Sequence, residues 1–140
     1  MMEILVVLPV LAYAGYTDFR HGIIGNPVSV LLLLIGLTEI FFPVVFHIPV
    51  TERVLIALLA FAVLYLAYRL KPGSAGGGDV KLFSSLGFCL GVHLLPVIIL
   101  SCIAGIIYWF ITKNNKIPMG SAAFLGALLF AVSEKIISLF

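Results

Sequence analysis

Charged side chains are scarce in this sequence. Asp, Glu, Lys and Arg make up 10% of its 140 residues, whereas an ordinary globular domain contains about 25% of them. Hydrophobic residues make up 63%, and the mean hydropathy is +1.27. Because so little charge cannot cover a water-soluble domain, we expect an integral membrane protein. The charges stand singly or in pairs between apolar runs, so no basic face for nucleic acid is expected.

Metal-binding patterns are also lacking. The two cysteines, Cys89 and Cys102, lie in apolar stretches and form no C-x-x-C pair, which excludes the usual zinc and redox motifs. The histidines fall at predicted helix ends that do not share one face: His21, His47 and His93. We therefore expect neither a metal nor a cofactor.

Long hydrophobic runs dominate the chain. Six apolar segments are separated by short polar or Pro/Gly-containing breaks, at residues 2–16, 27–42, 50–70, 80–91, 94–112 and 118 to the end. They predict an all-α, polytopic membrane protein, a bundle of about six transmembrane helices in a single domain spanning 1–140. A span needs about 20 residues. The first and fourth segments are shorter, which suits helices that end in a water-accessible cleft.

The basic residues are distributed unequally between the two faces that six spans would create. One face receives six of them: Arg20, Arg69, Lys71, Lys81, Lys113 and Lys116. The other face receives only Arg53 and Lys135. By the positive-inside rule the first face is cytoplasmic and both termini lie outside. Basic residues at both ends of 80–112 favour two crossings, with a turn near Gly91-Val92-His93, over one long bent helix.

The chain contains only two aspartates, and the predicted topology places both at the cytoplasmic boundary. Asp18 ends the first helix and Asp79 begins the fourth. Like-charge repulsion raises one pKa of two neighbouring carboxylates until the pair shares a proton. One carboxylate can then deprotonate a water while its protonated partner hydrogen-bonds the oxyanion of a peptide carbonyl, as in aspartic proteases. Ionisable residues at membrane boundaries are functional candidates by default.

Simpler structural roles exist for the two aspartates and for the polar residues near them. Asp18 fits a turn residue paired with Arg20, and Asp79 fits a helix N-cap. Lys81 suits a membrane-surface anchor or a charge that biases the proton of the pair. Asn26 precedes Pro27 at a plausible helix start.

The glycine-rich run at residues 73–78 leads directly into Asp79. It has the G-x-x-x-x-G spacing of a phosphate loop, but Asp79 stands where that loop requires Lys, and no βαβ pattern supports a dinucleotide site. Because glycine lets the backbone turn freely, Gly76 and Gly78 are expected to lie in a flexible loop that presents Asp79 to a substrate.

These segments resemble the type IV prepilin and preflagellin peptidases, membrane aspartyl proteases of the GxGD class. The similar motifs are Asp18-Phe19-Arg20 followed by Ile24-Gly25-Asn26, then Gly76-Gly77-Gly78-Asp79-Val80-Lys81, and finally Ile117-Pro118-Met119-Gly120. Their order and spacing agree along nearly the whole chain. Gly25 and Ser121 depart from the family pattern, which usually has proline at both positions.

The resemblance implies that Asp18 and Asp79 are the catalytic pair of an aspartic-type endopeptidase in the plasma membrane. The substrates would be prepilin-like single-span membrane proteins, cut behind a short basic leader at the cytoplasmic face. The supporting residues carried over by the motifs are Arg20, Asn26, Gly76, Gly78, Lys81, Pro118 and Gly120. The additional C-x-x-C region of many methylating relatives is lacking, so cleavage without methylation is expected.

Two other classes of function fit a small membrane protein with two acids. A proton-coupled transporter or channel subunit would use them as a relay, although a relay favours acids spread through the membrane depth. A non-catalytic assembly partner of a pilus or secretion machine would need neither acid for chemistry.

Overall fold

The computed structural model describes residues 2–41, 48–70, 76–113 and 117–139, and all regular structure in these ranges is helical. The helices are α1 (Met2–His21), α2 (Asn26–Phe41), α3 (Val50–Leu70), α4 (Gly77–Leu90), α5 (Leu94–Thr112) and α6 (Met119–Ile137), with a 3₁₀ turn at Gly91–His93. The predicted positions His47, Lys71, Lys116 and 73–75 lie outside the described residues. The prediction of an all-α membrane protein is confirmed.

Helices α1, α5 and α6 form one compact unit, which we call the terminal unit. Helices α1 and α6 pack along each other. Val7, Leu11 and Ala14 of α1 recur every three or four residues and are fully buried, as are Ala123 and Ala127 of α6. The small alanine side chains of α6 allow the two helix axes to approach closely.

Helices α2, α3 and α4, with the 3₁₀ turn, form the second unit, Ile24–Leu94, which we call the central unit. Helix α4 packs against both α2 and α3, and its Leu82, Leu86 and Cys89 are fully buried. A Cβ at Gly87 would lie 3.2 Å from the Cα of Ala57 in α3, so glycine permits this close packing.

The predicted break between the fourth and fifth segments is confirmed as an interruption of the helix. Gly91 ends α4 with a φ of 52°, and its N–H donates to the carbonyl of Gly87. A Cβ at Gly91 would also lie 2.9 Å from Cγ2 of Ile48. A residue with a side chain is therefore disfavoured here both by conformation and by space.

The length and composition of the described helices suit a membrane. Three helical stretches are long and apolar enough to cross one: Val50–Leu70, Gly77–Thr112 and Met119–Ile137. This is fewer than the six predicted segments: α4 and α5 count as one continuous 36-residue stretch that contains the break at Gly91–His93, α2 has only 16 residues, and α1 is not among the three. Many large apolar side chains face outwards, including Leu31, Leu58 and Ile99, as expected for surfaces in contact with lipid.

Candidate active site

Asp18 lies in the last turn of α1, two residues beyond the apolar run that ends at Tyr16. The Thr17 hydroxyl bonds back to the carbonyls of Tyr13 and Ala14, and the chain stays helical to His21. The side chain of Asp18 is buried, with 8% of its surface exposed. The carboxylate is therefore held at a rigid position on a helix.

The carboxylate of Asp18 meets the first turn of α6. The backbone N–H of Gly120 donates to Oδ2 of Asp18 at 2.6 Å. The first N–H groups of a helix have no partner inside it, and the helix dipole favours a negative group there. Two of the predicted site residues, 102 positions apart, are thus in direct contact.

Gly120 makes this contact possible because it has no side chain. A Cβ at this position would lie 2.9 Å from the Cβ of Asp18 and 3.1 Å from the carbonyl oxygen of Ala14. Pro118 precedes it as the N-cap of α6, and the Pro118 carbonyl accepts a bond from the N–H of Ala122. The proline–glycine segment starts α6 and lets its first turn approach α1.

The surroundings of Asp18, which lies beyond the apolar run 2–16, shift its protonation. Burial raises the pKa of the Asp18 carboxyl above its ordinary value, and the hydrogen bond from Gly120 acts in the opposite direction. Burial has the larger effect because it withdraws water from the charged form. Asp18 is therefore biased towards the neutral acid.

Arg20 does not take the position that a pairing with Asp18 would require. Its guanidinium carbon lies 5.6 Å from the centre of the Tyr16 ring, a cation–π distance. Residues two apart in a helix point in different directions, whereas residues four apart share a face. The described contacts do not follow the simpler alternative in which Asp18 pairs with Arg20: Asp18 accepts from Gly120, and Arg20 lies over Tyr16.

Asp79 is the third residue of α4, and its Oδ2 accepts a hydrogen bond from the N–H of Gly76 at 2.8 Å. The expectation of a flexible loop over 76–78 is wrong, because Gly77 and Gly78 already belong to the helix and Gly76 is its N-cap. Asp79 is likewise not the N-cap itself. Its carboxylate accepts a hydrogen bond from the backbone N–H of the N-cap residue, Gly76. This bond is one half of a capping box and stabilises the start of the helix.

The start of α4 is joined to the segment that begins α2. A Cβ at Gly78 would lie 3.1 Å from the Cβ of Ile24. The ammonium of Lys81 donates to Oδ1 of Asn26 at 3.0 Å. Asn26 is the first residue of α2, so the predicted helix start at Asn26-Pro27 is confirmed. The contact between Asn26 and Lys81 was not predicted.

The site residues thus form two groups. Asp18, Gly120, Pro118 and Arg20 belong to the terminal unit. The residues of the central unit are Asp79, Gly76, Gly78, Lys81 and Asn26. Within the described ranges, no group of three or more His, Cys, Asp or Glu side chains is placed to hold a metal.

Comparison with known proteins gives one family. The sequence profile described as the type IV leader peptidase family matches residues 5–110, well over half of the chain. Both aspartates lie inside this range, and Pro118 and Gly120 lie beyond it. No curated protein and no solved structure gives a significant match.

Proposed function

The chain belongs to the type IV leader peptidase family, and we propose that it is a membrane aspartyl endopeptidase whose catalytic pair is Asp18 and Asp79. One observation carries this proposal. The only two aspartates of the sequence both fall within the stretch that matches the family. The same membership favours cleavage over a proton relay or a non-catalytic assembly role.

The positions of the two carboxylates support a catalytic role for each. Each accepts a backbone N–H at the start of a helix, Asp18 from Gly120 and Asp79 from Gly76. Such bonds fix the orientation of a carboxylate without neutralising it. A catalytic group must be held in place before the substrate arrives, because small misplacements reduce the rate steeply.

We assign the acid and base roles from the environment of Asp18. Its burial favours the protonated carboxylic acid, so Asp18 donates a hydrogen bond to the carbonyl oxygen of the scissile peptide. Asp79 takes a proton from water, whose oxygen attacks the carbonyl carbon. When the tetrahedral intermediate collapses, the C–N bond breaks and the departing amine receives the proton held by Asp79. This sequence needs no covalent enzyme intermediate.

The proposed substrate is a prepilin-like protein with one apolar span and a short basic leader. Its span lies in the bilayer, and its leader is cut at the cytoplasmic face. We further propose that the chain cleaves without methylating the new N-terminus. Methyl transfer from S-adenosylmethionine by the purified chain would overturn that part of the proposal.

The catalytic assignment is tested by removing the acid–base function while keeping side-chain shape. Asp18→Asn and Asp79→Asn are each expressed with a prepilin-like substrate, and leader removal is followed by gel shift and mass spectrometry. General acid–base catalysis contributes about 10²–10⁴-fold, so each variant should lose at least about 100-fold. Glu134→Gln, the same chemical change near the far end of α6, is the control and should cleave normally. Full cleavage by either aspartate variant would remove it from the pair.

A further inference from the structure

A groove of about 570 Å³ lies within the central unit, between α2, α3 and α4. Most of its wall is apolar, formed by Val30 and Leu33 of α2, Leu58 and Phe61 of α3, and Phe88 of α4. Leu58 and Phe61 are also substantially exposed on the outer surface of α3. The groove therefore opens on the side of the unit that an apolar solvent would contact.

One end of the groove is polar and carries a positive charge. Asn26, at the start of α2, and Lys81, in the second turn of α4, line this end together with Ser84. The Ser84 hydroxyl donates to the carbonyl of Val80 in its own helix. Lys81 supplies the positive charge at this end of the groove. Its ammonium contacts the uncharged amide oxygen of Asn26 in the described structure. An ammonium has three N–H donors, so this one bond leaves capacity for an anion.

The volume of the groove limits what can occupy it. Two turns of an α-helix, about 11 Å long and about 10 Å wide with side chains, fill roughly 850 Å³. The groove is smaller than that but falls within the range of about 300–1,000 Å³ typical of small-ligand sites. A slender flexible chain fits these dimensions better than a helix of another protein.

The aromatic side chains of α3 indicate how deep in the membrane the Lys81 end of the groove lies. Phe61 stacks on Tyr65, and Tyr65 contacts Tyr68, so an aromatic row leads from the groove towards the end of α3. Tyrosine is enriched where a membrane meets water. Lysine commonly lies along apolar surface with its charge at that same level. The groove therefore runs from the hydrocarbon region to the interface.

We propose that this groove binds one anionic phospholipid, with its phosphate on Lys81 and Asn26 and an acyl chain along the apolar wall. The anionic headgroup matches the charge of Lys81, and the acyl chain matches both the lining and the limited width. A bound lipid would bridge the starts of α2 and α4. Lipid binding at this groove can be measured separately from cleavage, although Lys81 and Asn26 also belong to the motifs of the proposed peptidase.

The test uses the purified full-length protein in detergent and a photoreactive phosphatidylglycerol with a diazirine on its acyl chain. Labelled peptides are mapped by mass spectrometry, with unlabelled phosphatidylglycerol or phosphatidylcholine of identical chains as competitor. We expect labelling on the groove-lining segments of α2, α3 and α4. One lysine near the interface favours an anionic lipid by about 1 kcal/mol, so phosphatidylglycerol should compete about fivefold better.

Substitutions test separately the charge of Lys81 and the volume of the groove. Lys81→Met should abolish the preference for phosphatidylglycerol, whereas Lys135→Met, which removes an exposed lysine of α6, should retain it. Leu33→Trp, which fills the groove, should reduce labelling whichever competitor is present. In the unmodified protein, 1 M NaCl should weaken the preference, because the Debye length falls to about 3 Å.

Several results would overturn the proposal. Equal competition by the two lipids, an unchanged preference in Lys81→Met, or labelling outside the groove would each do so. Displacement by an apolar leader-containing peptide more effectively than by phosphatidylglycerol would assign the groove to substrate instead. Loss of cleavage in Asp18→Asn or Asp79→Asn would not affect any of these measurements.

Discussion

At the scale of single residues, Gly120 is the position whose substitution bears most directly on Asp18. In Gly120→Ala the new methyl group would lie 2.9 Å from the Cβ of Asp18, so the carboxylate or the start of α6 must move. We expect a loss of stability of about 1–3 kcal/mol and a fall in cleavage of about 10- to 100-fold from misplacement of Asp18. Cleavage kinetics and chemical unfolding in detergent measure both effects.

The neighbouring Ser121→Ala is the matched control for Gly120→Ala. It removes only a hydroxyl that donates to the carbonyl of Pro118, and it should retain most of the activity. Equal activity of Gly120→Ala and the unmodified enzyme would show that the contact between Gly120 and Asp18 has no role in catalysis.

The burial of Asp18 also predicts a pH dependence of stability. Its pKa in the folded protein is raised above the ordinary value of 3.8, so the folded state holds the proton more tightly than the unfolded chain does. Stability is then fully present below about pH 3.8 and decreases as pH rises through the raised pKa. Relative to Asp18→Asn, the free energy of unfolding of the unmodified protein should fall across that window. A constant or rising difference would show that burial does not control this carboxyl.

At the scale of helices, the first turn of α4 distinguishes two adjacent glycines. A Cβ at Gly78 would lie 3.1 Å from the Cβ of Ile24, whereas a Cβ at Gly77 would have no atom within 4 Å. Gly78→Ala should therefore shift α4 against residue 24 and lower cleavage. Gly77→Ala should preserve cleavage and stabilise the helix by about 0.5–1 kcal/mol. The reverse order of activities would mean that backbone freedom at Gly77, and not space at Gly78, matters for catalysis.

Arg53 of α3 is a structural residue that its sequence position does not reveal. It was assigned to the predicted outer face as one of two cations, yet it is buried, with 2% of its surface exposed. Its guanidinium donates to the carbonyls of Ile48 and Gly36, which ties α2 to the start of α3. A buried cation with such partners stabilises the unit only while those partners are present.

Replacement of Arg53 should therefore destabilise the central unit. Arg53→Met removes both hydrogen bonds, each worth about 0.5–1.5 kcal/mol, so a loss of about 1–3 kcal/mol is expected. Arg69→Met, at the exposed end of the same helix, should change stability by less than about 0.5 kcal/mol. Thermal unfolding in detergent, followed by circular dichroism, compares the two. Equal midpoints would mean that the Arg53 hydrogen bonds contribute nothing to folding.

The helices show which features local sequence determines. Pro27 predicted the start of α2 because proline restricts the backbone to a conformation that suits the first helical turn. Gly91 predicted the end of α4 because glycine adopts backbone conformations that other residues avoid. The start of α4 was misplaced because three successive glycines suggest a loop, and the return of the Asp79 carboxylate to Gly76 is not apparent from glycine content. The first helix was predicted to end at Asp18 and runs three residues further, to His21, because hydropathy falls after Tyr16 and gives no sign of the final turn.

At the scale of the whole molecule, composition was sufficient to predict an all-helical membrane protein. The contacts of the site were not predictable in the same way. Asp18 meets Gly120 across 102 positions and Lys81 meets Asn26 across 55, and neither separation follows from any local pattern. The motifs identified these residues as a set, whereas their partners required coordinates. The cytoplasmic orientation and the outward termini remain predictions from charge distribution alone.

The central claim is that Asp18 and Asp79 act as one catalytic unit, and a double-mutant cycle on cleavage tests it most directly. The kcat/KM of Asp18→Asn, Asp79→Asn and the double variant is measured on one prepilin-like substrate. Groups that work on the same proton and water are not additive, so all three variants should lose activity by nearly the same factor. Losses that multiply in the double variant, or full activity in either single variant, would contradict the account.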